Sequence, residues 1–198
     1  VSGANAKFPE KYRNALFAFD WSFGIIYAIY PKSNGASYTA TGEEFISGSP
    51  LPLTDGVVGP DGAMYFLTGG RRLESDMYRV YYAGSETKNT ATAKVELNEA
   101  QKTRKKLEGY HGKPTAGAVN EAWPFLKDKD RFIRYAARIA IEAQPLSEWT
   151  DKTINEKDPV ILTNAAIGLA RRGDTKAKKP LLTALTSVNI SLLTASQQ

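Results

Sequence analysis

Cysteine is absent from this chain of 198 residues, and histidine occurs once, at position 111. Without cysteine, the sequence has no disulfide, no thiolate zinc site and no attachment point for covalently bound haem. The apolar runs are all far shorter than the ~20 residues that a membrane-spanning helix needs, so we predict no transmembrane segment. The first residues, Val1–Lys7, are small and polar and lack the apolar core of a signal peptide.

Motifs that mark common catalytic sites are also missing. The sequence contains no serine nucleophile elbow, phosphate-binding loop, HExxH pair or paired-carboxylate motif. His111 has no partner residues at metal-ligand spacing, so we interpret it as a structural or solvent-exposed residue. The sequence therefore says more about architecture than about activity.

The composition changes near residue 84. Up to Gly84 the chain holds 15 of its 21 aromatic residues and 11 of its 16 glycines, with 7 basic and 8 acidic side chains. From Ser85 onward it is rich in alanine and carries 19 basic against 13 acidic side chains, so the net charge of +5 arises in this half. Such a change indicates strands followed by helices.

The first half is typical of strands separated by tight turns. Five segments have the β-branched and aromatic residues that strands favour: Ala15–Asp20, Ile25–Tyr30, Tyr38–Ile46, Ala63–Leu67 and Met77–Tyr82. The sequence Gly-Pro-Asp-Gly at 59–62 predicts a tight turn before the fourth segment. Strand, turn, strand, polar loop and strand is the order of a β-propeller blade, so we predict a partial propeller over residues 1–84, with about two blades.

The second half predicts paired helices. Residues 85–97 are polar and are predicted to be a linker, and residues 98–198 are predicted to be HEAT-like helical repeats. The segment Leu126–Ile141 aligns with Ile154–Leu169 at a constant offset of 28 residues, which pairs Asp130 with Asp158. Each copy has an acidic turn followed by an alanine-rich helix, as in helical-hairpin solenoids. The predicted fold class is therefore β plus α and multidomain: terminal propeller blades followed by an α-solenoid.

Neither predicted domain is complete. Each face of a blade needs a neighbouring sheet, and helical arrays need about three repeats for stability. We therefore expect that the remainder of a longer parent polypeptide, or a partner protein, covers the open faces. A stable proteolytic remnant with no separate function is an alternative.

The two halves together resemble a known family. The resemblance spans roughly residues 12 to 185. Its matching sequence segments are Asp20-Trp21, Pro52–Asp55, Gly59–Tyr65, Thr68–Arg71, Tyr78–Val80 and Asp130–Arg138. They resemble the propeller-to-HEAT-repeat junction of large secreted proteins, of the membrane-bound dehydrogenase type, in planctomycetes and verrucomicrobia. Those proteins combine a glucose/sorbosone dehydrogenase-like propeller, HEAT-like repeats and often a c-type haem domain.

This resemblance implies a function. It suggests a fragment of a periplasmic or secreted quinoprotein-like sugar or alcohol dehydrogenase, which passes electrons to a c-type haem domain outside this chain. Propellers of this class can bind pyrroloquinoline quinone (PQQ) and calcium, with arginines on the quinone carboxylates. By position, Arg71 and Arg72 are the candidate cofactor-binding residues. The family's catalytic histidine would lie outside this chain, so we assign neither a catalytic residue nor a metal ligand within it.

The arginine pair also has a purely structural interpretation. Ion pairs with Glu74 and Asp76 on the surface of the same loop would account for both arginines, because such pairs are common. Asp61 is explained by turn chemistry alone.

A different class of function is a non-catalytic scaffold that binds protein or polysaccharide through propeller and helical-repeat surfaces. Asp20 and Trp21 are interpreted as packing residues rather than as a funnel lining. Nucleic-acid binding is not expected, because the basic clusters Lys102–Lys106 and Lys176–Lys179 carry no interleaved aromatic residues. One further set is predicted to form ion pairs within and between the repeats: Asp130, Arg131, Arg134 and Arg138.

Overall fold

A computed structural model of the chain describes residues 1–84, 96–173, 175–189, 191 and 193–195. Residues 85–95, which make up most of the predicted linker, lie outside the described residues. The chain divides into two compact units. The first contains Val1–Asn34 and Tyr38–Glu96, and the second contains Gly35–Ser37 and Leu97–Gln198.

The first unit is built from two three-stranded antiparallel sheets and one short helix, α1 (Glu10–Arg13). The strands are β1 (Leu16–Asp20), β2 (Ile25–Asn34), β3 (Ser37–Ser47), β4 (Leu53–Val58), β5 (Met64–Thr68) and β6 (Met77–Val80). Sequential strands are neighbours in the orders β1-β2-β3 and β4-β5-β6. All five predicted strands are present, within a few residues of their predicted ends. The strand β4, which precedes the tight turn, completes the second sheet.

Strand register follows from which side chains are buried. In β5, Met64 and Phe66 are buried while Leu67 is exposed, as expected where one face of a sheet meets the core. The core of the first unit contains aromatic side chains from both sheets, including Phe17, Phe19 and Phe66. The ring centroids of Phe19 and Phe66 are 6.4 Å apart, so the two sheets share this core.

The N-terminal segment is ordered rather than a simple arm. Ser2 forms a β-bridge with Leu16, and the backbone N–H of Lys7 donates to the carbonyl of Gly62 at 2.8 Å. Phe8 is buried and lies edge-on to Phe17 at a centroid distance of 6.1 Å. The segment has few apolar residues, and two of them, Ala6 and Phe8, are buried in the core of the unit.

The second unit is helical. Its helices are α2 (Glu99–Glu108), α3 (Ala118–Ala122), α4 (Arg131–Glu142), α5 (Thr150–Ile154), α6 (Pro159–Arg172) and α7 (Lys178–Thr186). Two 3-10 turns, Trp123–Lys127 and Leu146–Glu148, lie between them. The core contains Trp149, which is fully buried, together with aliphatic side chains from α4 and α6.

Three helices in this unit, α2, α4 and α6, begin at a side-chain cap. Asn98 accepts a hydrogen bond from the Gln101 N–H, and the Gln101 side chain accepts from the Asn98 N–H, which forms a complete capping box. Asp130 and Asp158, the residues matched by the 28-residue offset, cap α4 and α6. Gly173 ends α6 at a φ of 72°. Each of these residues is of a type that favours the helix end at which it lies.

The short segment Gly35–Ser37 packs with the second unit. The Ala36 N–H donates to Asp130 Oδ2 at 2.7 Å, and the Ala36 carbonyl accepts from Arg104 at 3.2 Å. The Gly35 carbonyl accepts from the Asn98 side chain at 3.0 Å. Asp130 and Asn98 therefore each serve two purposes, since they cap helices and also fix this turn.

The mixed β and α fold class is confirmed, with strands preceding most of the helices. The described residues contain neither a closed propeller ring nor a closed helical array. Across the described part of the chain, no helix combines the length and apolar character required to cross a membrane.

Candidate functional site: an arginine loop beside Trp21

The loop after β5 has an unusual backbone. Four successive residues adopt positive φ: Gly69 at 145°, Gly70 at 97°, Arg71 at 49° and Arg72 at 68°. Glycine accepts such angles without strain, but for arginine each left-handed residue costs about 1–2 kcal/mol. Non-glycine residues held in this region are over-represented at ligand sites.

Trp21 supports this loop from the β1–β2 turn. Its indole N–H donates to the Gly69 carbonyl at 2.9 Å, and the Arg71 guanidinium lies 5.0 Å from the centre of its ring. A guanidinium group that stacks on an aromatic ring keeps its N–H donors pointing outward in its own plane. These donors are then free to bind the oxygens of a carboxylate or a phosphate. Trp21 therefore orients Arg71 as well as packing the loop.

Both arginines are exposed, and no described acidic residue pairs with them. Among the described residues, neither Arg71 nor Arg72 forms an ion pair, so the predicted pairing with Glu74 and Asp76 is wrong. Instead, the Arg71 guanidinium lies over the Trp21 ring. Two adjacent cations without a carboxylate can accept an anionic ligand.

Asp20 and Asp61 have structural roles, as predicted. Asp20 Oδ1 accepts hydrogen bonds from the Ser22 and Phe23 N–H groups at 2.9 and 3.0 Å, which closes the β1–β2 turn. Asp61 Oδ2 accepts from Arg79 at 2.8 Å and from the Tyr65 hydroxyl at 2.9 Å. The hydrogen bond from Arg79, with those from the Ala63 N–H and Tyr65, lowers the pKa of Asp61 to about 2.

His111 also has a structural role. Its Nε2 atom lies 2.9 Å from the Ala136 carbonyl, which ties the turn after α2 to α4. Within the part of the chain that the structure describes, no group of three or more histidine, cysteine, aspartate or glutamate side chains converges to hold a metal ion.

The ion pairs predicted for the arginines of α4 form in part. Among the described residues, Arg138 is the one α4 arginine that faces a carboxylate, with its Nε 3.3 Å from Glu142 Oε1 but not aligned for a hydrogen bond. Arg134 donates to the Asp128 and Lys129 carbonyls at 2.6 and 3.1 Å. For Arg131, no ion pair is found among the described residues.

Asp130 departs from that prediction as well. Burial alone would raise its pKa, but hydrogen bonds from the N–H groups of Ala36, Phe132 and Ile133 outweigh burial and lower the pKa. Its partners are therefore backbone groups rather than arginine side chains. The sequence pattern placed these residues on one helix correctly, but it could not reveal that backbone groups would satisfy them.

Comparisons of this chain with protein-family models, with curated proteins and with solved structures find no match.

Proposed function

We propose that the Arg71–Arg72 loop binds a carboxylate-bearing ligand, and that the chain is a segment of a periplasmic or secreted quinoprotein-like dehydrogenase. The observation that carries this proposal is a pair of adjacent guanidinium groups that have no carboxylate partner in the described part of the chain, one of them stacked on Trp21. PQQ is an aromatic tricarboxylate, so its carboxylates and its planar ring suit paired guanidinium groups beside an indole. Calcium and the catalytic base would come from residues outside this chain, as would the haem domain.

The finer fold proposal accompanies this function. The two sheets would be blades of a propeller and the helical unit would be part of a HEAT-like solenoid. Because propeller blades usually have four strands, each three-stranded sheet would need one more strand. The equivalent capping aspartates at Asp130 and Asp158 support the repeat interpretation.

The binding test uses the present chain and PQQ in equilibrium dialysis. We expect Arg72→Gln to weaken PQQ binding roughly fivefold, since a charge-assisted contact at an exposed site contributes about 1 kcal/mol. Arg172→Gln is the matched control, because it removes one exposed positive charge from the helical unit. No measurable PQQ binding, or equal weakening by both substitutions, would contradict the proposal.

The enzymatic part requires a separate measurement on the parent polypeptide. Purified with PQQ and calcium, the parent is expected to reduce an artificial electron-accepting dye when sugars or alcohols are supplied. If it binds neither quinone nor calcium and reduces no dye, the dehydrogenase proposal fails even if Arg72 binds another carboxylate.

A second candidate function is a non-catalytic scaffold, which is favoured by an uncovered sheet face. Val57, Leu67 and Met77 project from the same face of the β4-β5-β6 sheet and are 59%, 47% and 71% exposed. Contiguous exposed apolar side chains of this kind mark interaction surfaces. Measurement of the molecular mass of the denatured and of the native protein tests this second function. A native mass that is a multiple of 21.7 kDa would favour a scaffold that associates with copies of itself.

A further inference from the structure

A basic groove on α4 has no role in the function proposed above. Four arginines line this groove of about 420 Å³: Arg104, Arg131, Arg134 and Arg138. Its wall also contains two aromatic side chains and the Asn164 amide, but no carboxylate. Phe132 and Tyr135 are 37% and 57% exposed, which is unusual for aromatic residues beside so many charges.

Stacking of guanidinium groups on the aromatic rings decides what this groove can bind. The guanidinium groups of Arg104 and Arg131 lie 5.6 and 5.1 Å from the centre of the Phe132 ring, and that of Arg138 lies 5.2 Å from the Tyr135 ring. Proteins that bind single-stranded nucleic acid stack the bases on exposed aromatic side chains. Rings on which guanidinium groups are already stacked are poorly suited to stack a base as well. Stacked guanidinium groups instead keep their in-plane N–H donors available to anionic groups, among them carboxylates.

The charge in the groove is only partly neutralised. Glu108 accepts from Arg104 at 2.7 Å, and Glu142 lies beside Arg138. Arg134 donates to backbone carbonyls, which leave its positive charge intact. Arg131, which is exposed, has no ion pair within the described part of the chain. Two positive charges thus remain without a carboxylate, and they lie three residues apart on one helix.

A second polar groove continues from the first. Arg134 and Asn164 contribute to both, and the second is about 720 Å³ in volume and also contains Lys127 and Lys129. Asp128 is the one acidic residue in its lining, and its Oδ1 atom accepts a hydrogen bond from the Asp130 N–H at 2.7 Å. Lys127 is paired with Asp158, but Lys129 is exposed and forms no ion pair among the described residues. Two adjoining basic grooves suit an extended ligand with several negative charges better than a single small ion.

We propose that these two grooves bind an acidic peptide segment, rich in aspartate or glutamate, along α4. Arg131 and Arg134 would contact the ligand carboxylates directly. Phe132 and Tyr135 would hold the neighbouring arginines in orientation. This binding surface lies wholly within the helical unit, so it does not depend on the Arg71–Arg72 loop or on the dehydrogenase proposal.

Fluorescence anisotropy with a labelled decaglutamate peptide tests the proposal. We expect saturable binding in low salt and a three- to fivefold weaker affinity for Arg131→Gln, which is the range for one exposed charged contact. Arg172→Gln removes an equal charge from α6 outside the grooves and is expected to change affinity by much less. Equal weakening by the two variants would show non-specific charge attraction and overturn the proposal.

Two further measurements separate the site from its competitors. Phe132→Leu keeps every charge but removes the ring under Arg104 and Arg131, and we expect it to weaken decaglutamate binding as well. Competition with inorganic phosphate and with a decathymidine strand identifies the ligand class. The peptide assignment would be overturned if phosphate displaced the peptide at a concentration that supplies the same total negative charge. Tighter binding of decathymidine than of decaglutamate would overturn it as well.

Discussion

Asp61 lies in the tight turn between β4 and β5, where its carboxylate accepts hydrogen bonds from Arg79, the Ala63 N–H and the Tyr65 hydroxyl. Because these donors stabilise the ionised carboxylate, its pKa is lowered from 3.8 to about 2 in the folded chain. The unfolded chain binds the proton more readily. The stabilising contribution of Asp61 is therefore complete above pH 3.8 and is lost as the pH falls through about 2.

A pH titration of the Asp61 carboxyl by NMR checks this prediction. We expect a midpoint near pH 2 in the wild-type protein and a clearly higher midpoint in Arg79→Gln, because the largest stabilising hydrogen bond is gone. Asp61→Asn should remove the corresponding acid-dependent loss of stability. An Asp61 midpoint that does not respond to Arg79→Gln would contradict the assigned cause.

The chain is predicted to be more stable with glycine than with arginine at position 72. Its φ of 68° is strained for an L-residue with a side chain. Arg72→Gly should raise the free energy of unfolding by about 0.5 kcal/mol, since the relieved strain exceeds the added freedom of the unfolded chain. Arg72→Ala keeps the strain and serves as the control.

Urea unfolding of the two variants distinguishes strain from lost contacts. A stability gain for glycine but not for alanine supports strain. If PQQ binding is lost in both variants while glycine stabilises the chain, the arginine is retained for function at the expense of stability. A loss of stability in Arg72→Gly would show that the side chain contributes contacts that outweigh the strain.

At the scale of the helix, Asp130 and Asp158 provide a matched comparison. Both cap a helix, but only Asp130 also accepts from Ala36, a buried residue whose N–H would be left without this partner. We expect Asp158→Ala to cost about 1 kcal/mol and Asp130→Ala about 2–3 kcal/mol. Chemical denaturation of both variants measures the difference, and equal losses would show that the bond to Ala36 contributes nothing.

Glycine at position 35 is tied to the same carboxylate. Its φ is 56°, and a Cβ atom there would collide with Asp130 Oδ2. Gly35→Ala should therefore destabilise the chain by more than about 1 kcal/mol, beyond the backbone penalty alone. Combining it with Asp130→Ala removes the collision, so the two substitutions should be less than additive. Strict additivity would show that the side chains do not interact.

Local signals determined the elements. Capping residues, a glycine–proline–aspartate–glycine turn and β-branched runs act over a few residues, so the strands and the helices that follow the acidic turns at Asp130 and Asp158 could be predicted. The partners of Arg131, Arg134 and Arg71 could not. A helical spacing places arginines on one side, but it does not reveal whether a carboxylate, a backbone carbonyl or an aromatic ring will lie opposite.

At the scale of the whole chain, each unit has its own hydrophobic core, so we predict that a substitution in one core destabilises only the unit that contains it. Ile26 in the first unit and Leu126 in the second are both fully buried. Ile26→Ala and Leu126→Ala should each destabilise their own unit by about 2–5 kcal/mol. In scanning calorimetry, each variant is expected to lower a different transition. A single transition that both substitutions shift equally would show that the units unfold together.

The sequence alone determined the order of strands and helices, the helix caps and the absence of disulfides, because propensity, capping and composition act locally. The propeller and solenoid interpretations stay predictions, since each depends on contacts beyond the described residues. Only the tertiary structure decided that Arg71 lies over Trp21, that Asp130 binds a turn far away in sequence and that Arg104 lies over the Phe132 ring. These are contacts between residues distant in sequence, and packing rather than local pattern selects them.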